Sequence, residues 1–278
     1  MLRGIYTSTS GMVAQQAKLD TVANNLANAD QTGFKKDTTV FKAFPDMLLK
    51  RINDDGLAIV PAGSFDRAPL VGKLGTGVEV NEVFTEFHQG GLQRTENKFD
   101  LALKGKGFFT VMTERGERYT RNGTFTLSND GILVTHNGYP VMGENGIIRI
   151  QKENFHVGNN GEVIVKNRIP FDPRDTSALG ENWIESVIVD KLKIVDFENI
   201  REIKKEGDSL YRETEYSGPP LPPETEPQIL QAFLEKSNVN IVREMVDMIN
   251  VQRSYEANQK SILTHDQALG KLINEVGR

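Results

Sequence analysis

The sequence predicts an α+β protein: N- and C-terminal helices that pair as a coiled coil, with a central β-rich domain of antiparallel-sheet or barrel-like form between them. Three observations predict it. Apolar residues recur every seven positions at both ends of the chain. Between the ends lie short apolar runs separated by Asn-Gly and Asp-Gly turns. A proline-rich stretch then returns the chain to its last helix.

At the N-terminus the spaced residues are Ile5, Met12, Leu19 and Leu26, with Leu2, Val22 and Ala29 in companion positions. Residues seven apart lie on nearly the same side of a helix, so they form one narrow stripe. Ser8 and Gln15 interrupt its companion row. Residues 1–34 are read as the N-terminal helix of an inner core domain, and 35–70 as a connecting segment for inter-subunit contacts. Within that segment 41–52 reads as a short helix despite Pro45, broken by Asn53-Asp54-Asp55-Gly56.

Residues 71–227 read as the β-rich outer domain. Strand-like runs occupy 77–84, 108–112, 131–135, 161–165 and 191–195. Between them stand Asn122-Gly123, Asp130-Gly131, Asn137-Gly138 and Asn160-Gly161, pairs that supply positive φ for tight hairpins. The run Gly218-Pro219-Pro220-Leu221-Pro222-Pro223 reads as an extended connector, because proline cannot continue a helix or a central strand.

Residues 228–278 complete the inner domain. Ile241, Met248, Tyr255, Ile262, Leu269 and Val276 are spaced by seven, and Glu244, Asn258 and His265 interrupt the wider stripe. Asn240 stands where a helix cap is expected. A seven-residue spacing held this long is the pattern of a coiled-coil seam. Such a helix must bury its stripe against another, either the other end of the same chain or a neighbouring copy.

Composition limits the function. The net charge of −5 argues against broad nucleic-acid binding. No run of about 18 apolar residues is present, so no membrane insertion is expected. Thr7-Ser8-Thr9-Ser10 follows the first six residues directly, a start unlike that of a cleaved signal peptide. Cysteine is absent, which removes disulfides, thiolate metal sites and a cysteine nucleophile. The four histidines show no metal-ligand spacing, and neither a serine-nucleophile motif nor a phosphate loop occurs. Gly105-Lys106-Gly107 leads into a strand, as a tight turn does. Trp183, the single tryptophan, reads as a packing anchor. No catalytic residue, cofactor or metal is expected.

One segment carries more than periodicity. Ala23-Asn24-Asn25-Leu26-Ala27-Asn28, a spacer, then Thr32-Gly33-Phe34-Lys35 resembles the N-terminal signature of flagellar rod and hook proteins, A-N-N-L-A-N followed by T-x-G-F-K/R. Its chemistry is readable: Asn24, Asn25 and Asn28 place amides where a helix end has unpaired backbone groups. Gly33 permits a sharp exit, Phe34 can anchor it in an apolar pocket, and Lys35 leads outward. Asp100-Leu101-Ala102-Leu103 through Phe109, Tyr119-Thr120-Arg121 with the hairpin after it, and Glu235 through Asn240 with Asn238 and Val239 are similar to further motifs of the same family.

The resemblance implies a structural subunit of the flagellar basal-body rod that polymerises into a helical shaft. Its partners would be copies of itself, other rod proteins and the flagellar type III export apparatus. Its place would be the periplasmic rod, reached without a cleaved signal peptide. The proximal rod type is favoured, with a distal rod or hook subunit as the alternative. A reading of another class is a β-rich adhesin or a phage-tail-like binding module.

Overall fold

The structure is a computed structural model describing residues 2–50, 57–60, 63–66, 70–150, 155–168, 184–223 and 227–276. Trp183 lies outside the described residues. The chain divides into two compact units. The first contains Met1–Leu26, Asp37–Phe84 and Ile241–Arg278, and the second Ala27–Lys36 and Thr85–Asn240.

The first unit is built on two long helices, α1 (Leu2–Ala27) and α2 (Ile241–Val276). Three threonine hydroxyls of α1 bond back to carbonyls one turn earlier, Thr7 to Arg3, Thr9 to Ile5 and Thr21 to Ala17. These bonds satisfy the hydroxyls without interrupting the helix. The other described residues of this unit form extended chain. Strand Asp37–Ala43 pairs with Val78–Thr85, and Met47–Lys50 pairs antiparallel with Leu70–Leu74. Over the described residues 41–50 the helix expected over 41–52 is therefore absent, and 51–52 lie outside the described residues. Pro45 withholds a backbone donor, and the β-branched run Thr38-Thr39-Val40 ahead of it suits a ladder better than a helical turn.

The second unit holds most of the β structure. Five antiparallel strands run in the order Ile194–Val195, Phe108–Thr113, Gly116–Thr120, Leu210–Arg212, Lys204–Gly207. Three more, Phe155–Val157, Glu162–Arg168 and Ile184–Lys191, form a second antiparallel sheet. Two-stranded pairs complete it, and among the described residues no sheet closes into a barrel. One core gathers Leu101, Phe109, Phe125, Leu133, Ile148 and Val163, all essentially without exposure. A smaller aromatic core joins Phe108, Tyr119, Phe197 and Tyr211.

Gly131, Gly138 and Gly161 take positive φ, as their turns require. Gly123 does not, and its reason is space: a Cβ there would lie 1.6 Å from the carbonyl oxygen of Leu101. The Asn122-Gly123 pair is thus a close strand crossing rather than a hairpin tip.

A second crossing occurs where Lys236 N–H donates to the Gly91 carbonyl at 2.9 Å. A Cβ on Gly90 would stand 1.9 Å from the Lys236 oxygen, whereas one on Gly91 would meet nothing within 4 Å. Gly90→Ala should therefore lower stability by about 1–3 kcal/mol, and Gly91→Ala should stay within about 0.5 kcal/mol of wild type. Urea unfolding followed by circular dichroism checks the pair. Equal midpoints for the two variants would contradict the crossing.

Candidate functional site

In the first unit, α1 and α2 lie side by side and antiparallel. A methyl group on Gly4 would sit 2.6 Å from His265 Nε2, and one on Gly11 would sit 2.9 Å from Asn258 Nδ2. Ser8 Oγ donates to Ser261 Oγ at 3.1 Å, and Asn25 Nδ2 donates to Glu244 Oε2 at 3.3 Å. These four pairs keep one register. Steps of four, three and fourteen residues forward on α1 match equal steps backward on α2. The seam is lined by glycine, serine and amide groups, and its buried members include Val22, Asn25, Glu244 and Val251. Small residues let the two backbones approach closely, and the polar ones bond across the gap.

The seven-spaced apolar rows sit beside this seam. Ile5, Met12, Leu19 and Leu26 follow the contact residues of α1 by one position, and all four are half-buried. On α2 the row Ile241, Met248, Tyr255, Ile262, Leu269 and Val276 precedes the contact residues by three. Met248 through Leu269 are half-buried, Ile241 is exposed, and Val276 closes the helix. In an antiparallel pair of right-handed helices these offsets bring both rows to the same side. The opposite side of α1 carries Thr7, Ser10, Ala14 and Thr21. There Thr7 bonds the Thr76 carbonyl, Ser10 Oγ accepts from Val78 N–H, and Thr39 Oγ1 donates to Thr21 Oγ1. Extended chain thus covers one side of the pair, and the apolar rows face the other.

The signature residues divide between the units. Asn25 stays with the helices, where its amide exchanges two hydrogen bonds with the backbone of Asp37, 2.8 Å from Nδ2 to O and 2.9 Å from N to Oδ1. Asn24 is exposed, and Leu26 is half-buried. Asn28, in the second unit, accepts the Gln31 amide through its carbonyl at 3.1 Å.

Thr32, Gly33, Phe34 and Lys35 are built into the β unit. Thr32 Oγ1 donates to Asn122 Oδ1 at 2.8 Å, and Gly33 N–H donates to the Glu235 carbonyl at 2.8 Å. Gly33 has φ of 68°, and a Cβ there would stand 2.5 Å from the Asn122 nitrogen, so conformation and space both demand glycine. The Phe34 ring is buried under the Lys205 ammonium, 4.2 Å from its centroid. Lys35 does not lead outward. It is fully buried, donating to Glu235 Oε1 at 2.5 Å and to the His88 carbonyl at 2.8 Å. A buried ammonium persists only where an anion and acceptors surround it, and these supply both.

Glu235 is the centre of this cluster. With 1% of its surface exposed, it takes Lys35, the Gly90 N–H at 2.9 Å and Arg121 at 3.4 Å. Arg121 also donates to the Gly105 carbonyl at 2.8 Å and lies over the Phe108 ring. Burial pulls the Lys35 ammonium and the Arg121 guanidinium below their ordinary pKa values, and Glu235 opposes both shifts. Three residues on, Asn238 accepts Lys36 N–H at 2.8 Å and donates to the Glu86 carbonyl at 2.8 Å. Val239 is half-buried beside it. Sequence reasoning gave Glu235 and Arg121 no role of their own, although both lie inside family-like motifs.

Among the described residues no three His, Asp or Glu gather to hold a metal ion, and no helix is long and apolar enough to cross a membrane. What the fold brings together are packing and hydrogen-bonding groups that join the two ends of the chain, the marks of a structural protein.

Comparison with known proteins identifies the family. Residues 5–35 match the family described as Flagella basal body rod protein. Residues 102–165 match the Flagellar hook protein FlgE/F/G D1 domain, and 230–275 the Flagellar basal body rod FlgEFG protein C-terminal. The chain is 35% identical to the flagellar basal-body rod protein FlgG of Borreliella burgdorferi, over 97% of each chain. It is 33% identical to FlgG of Buchnera aphidicola, over 98% of this chain and 99% of that one. To the rod protein FlgF of Caulobacter vibrioides it is 34% identical, over 100% of this chain and 99% of that one. The chain belongs to the flagellar basal-body rod protein family, and it is a structural protein rather than an enzyme.

The cluster around Glu235 gives a direct test. Glu235→Gln leaves Lys35 and Arg121 buried without their anion and should destabilise the β unit by about 3–5 kcal/mol. Lys35→Met should cost less, because Glu235 keeps Arg121 and the Gly90 N–H. The double variant should recover part of the loss, since it removes both charges of the pair. Urea titrations of all four proteins measure the coupling, and strictly additive losses would contradict it.

Proposed function

We propose that this chain polymerises into the helical shaft of the basal-body rod, with α1 and α2 forming a coiled-coil inner layer and the β unit lying outside it. The observation that carries this reading is the one-sided meeting of the two seven-spaced apolar rows. A half-exposed apolar face along a helix pair asks for a further partner, and a different surface of a neighbouring copy supplies it at every step. Contacts between unlike surfaces that repeat without closing generate a helical tube.

The connecting segment 35–70 contributes a second contact in this reading. Met47, Leu48, Leu49, Leu70 and Val71 are exposed on a two-stranded ribbon, and such ribbons are marginal alone. Packing against neighbouring subunits would cover them. Other rod proteins above and below would complete the shaft in the periplasm. Export through the flagellar type III apparatus accounts for delivery. The helices would then fold onto one another as they dock.

Relatives named FlgG and FlgF are both similar to this chain over nearly its whole length. The level within the rod, proximal in the favoured reading, is therefore decided by the stage at which growth stops. The test is deletion in the host followed by electron microscopy of purified basal bodies, with wild type and Ile262→Asp each returned on a plasmid. The deletion should leave the membrane ring without rod and hook. Wild type should restore them, and Ile262→Asp should not, because it places a charge on the apolar face. Intact basal bodies in the deletion strain, or full rescue by Ile262→Asp, would count against the shaft.

A further inference from the structure

A cavity of about 140 Å³ opens in the second unit where four separated segments meet: the spacer of the signature at Gln31, then 120–124, 135–139 and 208–210. Its walls are fixed by bonds within the unit. Thr32 Oγ1 and the Thr124 N–H both donate to Asn122 Oδ1, at 2.8 and 3.1 Å. Thr120 Oγ1 donates to the Ser209 carbonyl at 2.9 Å, and Tyr139 N–H donates to Thr135 Oγ1 at 3.1 Å. The Asn122 carbonyl is thus taken twice, which orients its amide and leaves Nδ2 without a partner among the described residues. Gln31, His136, Asn137, Tyr139 and Asp208 also line the cavity, and their side chains make no hydrogen bond or ion pair to other described residues.

This lining selects a class of ligand. Neither lysine nor arginine lines it and Asp208 carries a negative charge, so a phosphate or carboxylate is repelled. An apolar ligand would leave the amides and the carboxylate desolvated and unbonded. A small organic cation asks for an aromatic cage, and Tyr139 is the one tyrosine, phenylalanine or tryptophan in the lining. What fits is a neutral ring that carries hydroxyls around its edge, since each hydroxyl both donates and accepts. Asp208 and the amide carbonyls of Gln31 and Asn137 accept from such hydroxyls, and Asn122 Nδ2 donates to them. Tyr139, whose ring packs on the larger core, adds an aromatic surface beside the ring's C–H groups. Cavities for drug-sized ligands run to about 300–1,000 Å³, so this one takes a single ring.

We propose that the cavity binds one pyranose ring of a neutral saccharide. The site lies wholly in the second unit and stands independently of the polymer. The same chemistry is offered by a free sugar and by the end of a glycan chain, and the test separates the two.

Saturation-transfer NMR on the full chain, kept dilute, reads the contact from the sugar's side. The probes are glucose, N-acetylglucosamine and the β-1,4-linked tetramer of each. Ring protons should receive saturation from the wild-type protein. Gln31→Ala and Asp208→Asn should each weaken binding about 5–10-fold, the loss expected for one hydrogen bond to a neutral or charged group. Neither side chain bonds within the fold, and asparagine tolerates the φ of 49° at position 208, so both variants should keep the wild-type circular dichroism and urea midpoint. Similar transfer to monomer and tetramer supports the site with a free sugar as ligand. Transfer to the tetramers alone, strongest at a terminal ring, supports it with a glycan chain. Absence of transfer to all four saccharides would overturn the site. So would transfer that survives both substitutions, or tighter binding of inorganic phosphate than of any sugar, read by phosphorus line broadening. The shaft stands or falls separately, on the deletion strain.

Discussion

The β unit depends on one buried carboxylate. Glu235 accepts Lys35 from near the start of the chain, Arg121 from its middle and the Gly90 amide from the segment that leads into Leu92–Arg94. The Glu235 backbone carbonyl holds Gly33 as well. Segments separated by about 200 residues are thereby fixed to one side chain. Burying these charges is unfavourable on its own, and the hydrogen bonds among Glu235, Lys35, Arg121 and the Gly90 amide offset part of the loss of water. The cluster is therefore complete only with residues 27–36 and 233–238 both in place.

That closure explains why the family signature has its form. Its Asn25 half fixes Asp37 against the end of α1, and its Gly33-Phe34-Lys35 half is a component of the β unit. Within the first unit a different logic holds. The helix seam is lined with glycine, serine and amides, so close approach and cross-helix hydrogen bonds set its register. The apolar rows are displaced to one face, where they remain available to another molecule. A seam packed with the large apolar residues themselves would hide that face.

The two terminal helices were legible because period survives in a bare sequence. Which face pairs was not, because Ser8, Glu244, Asn258 and His265 read as interruptions of a stripe when they are the contact. Strands near 78–85, 108–113 and 162–168 followed from alternation and glycine turns. The described part of the segment 41–52, residues 41–50, was misread because its apolar content suits either a helix or a strand, and only pairing partners at 70–74 and 78–85 decide between them. Lys35 was misread for a similar reason: a lysine pair normally means a solvated face, and nothing local announces an anion 200 residues away. The signature itself stood out by resemblance, but its division between two units is a property of three-dimensional contacts alone.

Hydrogen exchange on the dilute monomer tests the central claim most directly. Gly33 and Lys36 donate to Glu235 and Asn238, so their amides should exchange as slowly as those of the β-unit core, such as Phe109 and Val111. They should open only when that unit unfolds as a whole. If Gly33 and Lys36 exchange at the rate of unstructured chain while Phe109 and Val111 stay protected, the signature segment is not part of the β unit and the account built on Glu235 is wrong.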